Sequence, residues 1–364
     1  MNSFHLLQKY NIKYESQCRN AGDSMPLGGH DMGCNVWVEN SQLYVYMAQS
    51  GAFDEAGNMV KAGRLKVCLK PNPFEDAFSQ ELRLQSGDIK IVGKSGEVET
   101  TILLWVDVKY GILHLEISSA KEHEISVFYE NWRNTTNGYS NPDTVKYEDG
   151  KLVFYHKNEG KTHFQEHIRQ EGLEEIRNEF PDVQKGLVFG GCVCATGMKD
   201  NGRQDSSYAE LPCDSYGLST KDTSAHITVA VHISDRGSSK QWKEELEHLL
   251  AEEETDHNRK QETRIWWEKF WQRSYVHICP NAMNRDDETW QMGRNYQLFR
   301  YMLACNAYGS FPTKFNGGLF TTDPAIWGSR YGAENPDERD WGGIIFTAQN
   351  QRHVYWPMLK DSDK

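Results

Sequence analysis

A change of hydrophobic period near residue 235 constrains this chain more than any other feature. Before it, apolar residues alternate in short runs. "NVWVENSQLYVYMAQS" (35–50) alternates around Glu39-Asn40-Ser41, the pattern of a hairpin. "RLKVCLKPNPF" (64–74), "IKIVG" (89–93), "TTILLWVDVKYGILHLEISS" (100–119), "HEISVFYENW" (123–132), "KLVFYHK" (151–157), "LVFGGCVCATG" (187–197) and "SAHITVAVHIS" (224–234) repeat the signal, with Gly, Asn, Asp and Pro between them. Successive strands without intervening helices predict a large antiparallel sandwich. Only "FQEHIRQEGLEEIRNEF" (164–180) reads as a helix in this half.

Beyond the break the period becomes helical. In "SSKQWKEELEHLLAEEETDHNRKQETRIWWEKFWQRSYV" (238–276), Leu246, Leu249 and Leu250 form one stripe. Ile265, Trp266, Phe270, Trp267 and Trp271 recur at i+4 or i+5, which predicts two helices joined near residues 254–256. "ETWQMGRNYQLFRYMLACNAYGS" (288–310) predicts another helix, and a further one is expected near 345–357 in an otherwise loop-rich end. The expected organisation is a β domain over 1–235, a helical linker over 236–276 and the start of an all-α domain over 277–364.

The 364 residues are 38% hydrophobic and 12% aromatic, enough for a packed core. A net charge of −12 without a Lys/Arg block argues against duplex nucleic acid and fits a neutral ligand better than a polyanion. No apolar run approaches the roughly 18 residues of a membrane span. "MNSFHLLQKYNIKY" has neither an apolar signal core nor a small-residue cleavage site, which leaves the compartment open. The eight cysteines are scattered and read as buried apolar residues; Cys192-Val-Cys194 has no matching pair for zinc.

Three motifs carry a functional and a plain reading side by side. "HFQEH" (163–167) has the H-x-x-E-H spacing of a zinc peptidase, yet polar flanks and no third ligand favour a solvated helix face. "PLGGHDMG" (26–33) lacks the Lys of a phosphate loop and runs straight into a strand, so a turn needing φ > 0 accounts for it better. Trp266, Trp267 and Trp271 offer sugar-stacking faces, but their helical spacing points to core packing.

The informative cluster lies in "FPTKFNGGLF" (311–320), "NPDERDWGG" (335–343) and "TAQNQRHVYWPML" (347–359). Amides (Asn316, Gln349, Asn350), cations (Lys314, Arg339, Arg352), His353, carboxylates (Asp337, Asp340) and aromatics (Trp341, Tyr355, Trp356) gather within it. Amides and charged groups grip hydroxyl pairs while aromatics stack on a sugar ring, so this mix suits a polyhydroxylated ligand. A polar surface with structural aromatics is the alternative.

The stretch from Ser24 to Phe74, "WWEKFWQRSYV", "NYQLFRYMLACNAYGSFPTKFNGGLF" and "RDWGGIIFTAQNQRHVYWPML" together resemble a bacterial family known as a domain of unknown function, number 5703. That family is related to glycoside hydrolase family 95. The resemblance implies an N-terminal β super-sandwich, a helical linker and an (α/α)6 six-hairpin barrel bearing the active site of an inverting, exo-acting glycosidase of fucosidase or galactosidase type. It implies an oligosaccharide or glycoside substrate, no cofactor, no metal and relatives that are mostly exported; oligomeric state is left open. In an N-x-N-x-x-x-x-Y-W-P segment the relatives use amides to position the attacking water. Here Asn350 and Tyr355-Trp356-Pro357 match, while Ala348 stands at the first Asn.

Asn350 is thus the expected water-positioning residue. Lys314, Asn316, Trp341, Gln349, Arg352, His353 and Tyr355 are expected around the sugar, and Asp337 and Asp340 are the nearby carboxylates available for acid or base work. An unaided amide is a poor base, and inverting hydrolysis needs an acid on the opposite side of the bond. The chain ends seven residues after Pro357. The expectation is therefore an incomplete barrel without hydrolytic activity on its own. A non-catalytic carbohydrate-binding or assembly protein is the rival reading.

Overall fold

The computed structural model describes residues 4–136, 140–208, 211–235, 237–327, 336–339 and 346–361. Among them the chain forms fourteen strands: β1 (Ile12–Tyr14), β2 (Met25–Gly29), β3 (Met32–Glu39), β4 (Gln42–Phe53), β5 (Met59–Lys70), β6 (Ala77–Arg83), β7 (Asp88–Ser95), β8 (Val98–Val106), β9 (Ile112–Asn131), β10 (Thr144–Glu148), β11 (Lys151–Lys157), β12 (Val188–Ala195), β13 (Lys199–Tyr208) and β14 (Leu211–Ser234). The helices are α1 (Phe4–Leu7), α2 (His163–Gln170), α3 (Ser239–Thr255), α4 (Arg259–Arg273), α5 (Glu288–Ala304), α6 (Pro324–Trp327) and α7 (Ala348–Asp361). No described helix is long and apolar enough to cross a membrane.

Two long strands organise the sheet. The first half of β9 pairs with β8, its second half with β5, and β14 follows it antiparallel along both halves. One layer runs β1-β6-β7-β8-β9-β14-β12-β11-β10, while β5, β4, β3 and β2 extend from the other half of β9. Side chains of both layers, Val36, Val45 and Leu65 from one and Ile91, Leu104 and Leu115 from the other, share one buried core. The result is a large, sheet-rich antiparallel sandwich domain followed by helices.

Most of the strand expectations hold, and the exceptions are instructive. Asn40 (φ 50°) and Ser41 (φ 60°) make the left-handed two-residue hairpin that joins β3 to β4. The polar stretch between residues 119 and 124, expected as a break, is instead spanned by β9, because Glu124 and His123 pair with Lys221 and Asp222. "PLGGHDMG" is the β2–β3 hairpin, and its left-handed residue is His30 (φ 56°), not a glycine. The glycines serve close approach instead. A Cβ on Gly28 would lie 3.0 Å from Cys305 Cβ, and one on Gly33 would lie 2.3 Å from Leu319 Cβ.

The two helices form where the period predicts them, but only part of the α4 stripe is core: Trp267, Phe270 and Trp271 are buried, Trp266 is half-buried and Ile265 is exposed. Trp271 donates its indole N–H to Leu84 O at 2.7 Å. All eight cysteines are free; five are buried, Cys68 and Cys194 are half-buried and Cys279 is exposed. The helical end packs on the β2–β5 side through Leu319 on Gly33, Ser50 Oγ donating to Asn306 Oδ1 (3.1 Å), and Tyr46 Oη donating to Asp323 Oδ1 (2.7 Å).

This packing makes Gly33→Ala a test of the docking. The added methyl overpacks the contact with Leu319, and a loss of about 1–3 kcal/mol is expected in urea unfolding. Paired with Leu319→Ala, the two losses should be less than additive; full additivity would show that residues 311–320 do not rest on β3.

Candidate functional site

The segment bearing the candidate residues is fastened to the sandwich by a buried ionic cluster. Asp337 accepts from the Lys61 backbone N–H (2.8 Å), Trp132 Nε1 (2.9 Å) and Arg133 Nη1 (2.8 Å). Lys61 Nζ, itself buried, donates to the Pro336 carbonyl. Arg133 also pairs with Asp143 through Nη2 at 2.7 Å. Asp143 and Glu55 in turn flank the buried ring of His156, at 2.9 Å from Nδ1 and 3.1 Å from Nε2. Buried charges persist only when paired in this way. Asp337 is committed to three donors, an arrangement suited to docking rather than to proton transfer.

The pKa directions follow from these contacts. Burial opposes charge on His156, but its bonds to Asp143 and Glu55 outweigh that and raise it to about 9. Burial lowers Lys61 to about 8 against the pull of Asp337. Arg339, buried next to this cluster, donates from Nη1 to Gly318 O at 2.9 Å and so ties residues 336–339 to the 311–320 loop.

That loop and α7 meet through two side chains. Gln351 donates from Nε2 to the Thr313 carbonyl and accepts from the Phe315 N–H at 3.2 Å, while Val354 is buried. Lys314 is buried with its ammonium 4.8 Å from the centre of the Phe315 ring and 5.0 Å from that of Phe346. Burial, then the neighbouring Arg339 cation, lowers its pKa to about 8. A pocket of about 100 Å³, bordered by Phe299, Met302, Lys314, Phe315 and Val354, lies here. It is well short of the roughly 300 Å³ at which small-molecule sites begin.

The opposite face of α7 is open. Helical spacing turns Gln351, Val354 and Met358 inward and leaves Gln349, Asn350, Arg352, His353 and Trp356 exposed. Asn350 occupies the first turn, where its Oδ1 accepts from Thr347 Oγ1 at 3.1 Å. Arg352 lies 5.5 Å from the Trp356 ring centre, and His353 lies 6.4 Å from it. Amides, a cation, an imidazole and an indole thus share one exposed stripe. It carries no carboxylate, since residues 348–360 contain none.

The structure brings Gln349, Asn350, Arg352 and His353 together on α7. Lys314 is beneath the surface, the half-buried Asn316 belongs to the adjoining loop, and Tyr355 borders a separate hollow beside α4. Asp340 and Trp341 lie outside the described residues. On α2, Glu166 of "HFQEH" is engaged by Lys161 and Arg169. Sequence reasoning missed Lys61, Arg133 and His156, which lie in strand or loop patterns with no signal that they converge. It also missed Tyr308, which the expected helix over 288–310 included; α5 ends at Ala304 and leaves Tyr308 beyond it, next to Gly309.

The His156 cluster predicts a pH dependence. Because the folded pKa is above the ordinary value of 6.5, its stabilisation is full below about pH 6.5 and is lost as pH rises through about 9. Lys61 has the opposite sign: its penalty is relieved as pH rises through about 8 towards 10.5. Thermal melts between roughly pH 6 and 8, below the range in which Lys61 loses its proton, should show a Tm decline in the wild type that flattens in His156→Gln. Superimposable profiles would contradict the assignment.

In comparison with known proteins, the family model described as "Domain of unknown function (DUF5703)" matches residues 13–141 and 134–276. No curated protein matches the sequence. Among solved structures, one described as a kojibiose phosphorylase from the human microbiome is 12% identical with a TM-score of 0.49, covering 86% of this chain and 44% of that one. A bacterial glucoamylase complexed with acarbose is 12% identical with a TM-score of 0.46, covering 97% of this chain and 49% of that one. An α-mannosidase of family GH92 from Bacteroides thetaiotaomicron is 9% identical with a TM-score of 0.26, covering 81% and 40%. The chain therefore spans less than half the length of each.

Proposed function

This chain belongs to the DUF5703 family, and from that footing we propose that it is a carbohydrate-active protein whose sugar-binding face is the open stripe of α7. The observation that carries the reading is the exposure of Asn350, Gln349, Arg352, His353 and Trp356 together on one helix. Amide and guanidinium groups complement paired hydroxyls, and the indole complements the apolar face of a pyranose ring. Asn316 and Trp341 belong to the surrounding subsite in this reading, whereas the burial of Lys314 and the place of Tyr355 in the hollow beside α4 set those two apart from it.

In the whole protein the activity is that of an exo-acting, inverting glycosidase of fucosidase or galactosidase type. Asn350 orients the attacking water, and the Y-W-P resemblance supports that role. Inversion also requires an acid and a base on opposite sides of the bond. Asp340 is the nearby candidate, and Asp337 would have to leave its docking bonds to take part. Because the α7 stripe has no carboxylate of its own, a non-catalytic carbohydrate-binding protein is the second reading.

Calorimetric titration with L-fucose, D-galactose and their methyl α-glycosides tests the proposal. Asn350→Ala and Trp356→Ala, both at exposed positions, should each weaken binding about tenfold. Affinity untouched by either substitution would transfer the binding to the sandwich, and the absence of binding to any of these sugars would refute the α7 reading.

A further inference from the structure

The tryptophans of α4 do not share one role. Trp267 and Trp271 are buried, whereas Trp266 is half-buried, stacked on Phe270 with ring centres 5.6 Å apart and planes at 12°. Its indole N–H donates to the hydroxyl of Tyr308 at 3.0 Å. Tyr308 is 65% exposed and has φ of 63°. A bulky side chain seldom adopts that backbone conformation without a reason in its surroundings. Here a backbone bridge to His30 holds the residue in place. The fold therefore keeps a large ring in solvent, in an unfavourable conformation, locked to a second ring.

The Trp266–Tyr308 pair stands between two hollows. One, of about 360 Å³, is bordered by Arg273, Asn306, Ser310, Phe311 and Tyr355. The other, of about 350 Å³, is bordered by Asp107, Lys109, Arg259 and Glu262. Each falls within the roughly 300–1,000 Å³ of small-molecule sites, unlike the pocket beside Lys314. The second rim carries both signs of charge, and the first has Arg273 as its single charged group, so neither is built for a polyanion or a polycation. Two aromatic rings edged by hydrogen-bonding groups match a molecule with an apolar face and a polar rim, which is the form of a pyranose ring.

We propose that Trp266 and Tyr308, whose rings are tilted by 58° with centres 6.1 Å apart, form the aromatic corner of a second glycan-binding site, lying beside α4 and taking neutral pyranosides. It is separate from the Asn350 stripe and does not depend on that stripe binding sugar. No bond is made or broken there; its role is to hold a glycan alongside the α7 face.

The test follows the indole N–H resonance of Trp266, assigned by its disappearance in Trp266→Phe, during titration with maltotriose, lactose and L-fucose. At least one probe should shift it at millimolar concentration. Tyr308→Ala should weaken that binding about tenfold, Tyr308→Phe should retain most of it, and Asn350→Ala should leave it in place. No Trp266 shift with any of the three probes overturns the proposal, as does an undiminished affinity in a natively melting Tyr308→Ala. Failure of the α7 reading would appear separately, as unchanged resonances at residues 346–356 beside an intact Trp266 response.

Discussion

The attachment of the helical end to the sandwich depends on the carboxylate of Asp337. It is buried and takes three donors from the sandwich side, one of them the backbone N–H of a strand residue. An unpaired charge in that position would cost several kcal/mol, on the order of the penalty for breaking a buried ion pair. The segment and the strands are therefore held together or not at all. Arg133 extends the attachment inward to Asp143, His156 and Glu55, and Arg339 extends it outward to the Gly318 carbonyl. Through Gln351 and Val354 the same chain of contacts reaches α7.

That arrangement explains how a loop-rich end can hold α7 in a fixed orientation. A stripe of polar and aromatic side chains recognises a ligand only if its backbone is fixed beforehand. Here the fixing groups point inward, and the groups proposed to bind sugar point outward on the same helix. Lys314 belongs to the inward set in this structure: burial lowers its pKa to about 8, and its ammonium lies near two phenyl rings. The glycines of β2 and β3 have a matching task, because a side chain at Gly28 or Gly33 would push away the helix end and loop that they accommodate.

Elements whose signal is local were legible in the sequence. The hairpin at Glu39-Asn40-Ser41 follows from the break in alternation and from Asn40, which tolerates left-handed backbone, and helices α3 and α4 follow from the leucine and tryptophan spacing. The expected helix near 345–357 is α7 at 348–361. Features set by distant partners were not legible. β13, "KDNGRQDSSY", has no apolar alternation and becomes a strand only because β14 pairs with it. The continuity of β9 through "SSAKEHE" likewise depends on β14. Asp337 reads as one acid among several in a polar loop, since its partners Lys61, Trp132 and Arg133 lie more than 200 positions earlier. Among the candidate site residues, the grouping on α7 followed from helical spacing, while the burial of Lys314 did not.

The central claim is that carbohydrate is held by the helical end rather than by the sheet. Hydrogen–deuterium exchange of the chain with and without saturating methyl α-L-fucoside or methyl α-D-galactoside tests it most directly. The account predicts slowed exchange across residues 346–356, with the sandwich strands unchanged. Protection confined to β1–β14, with α7 unaffected, would contradict it.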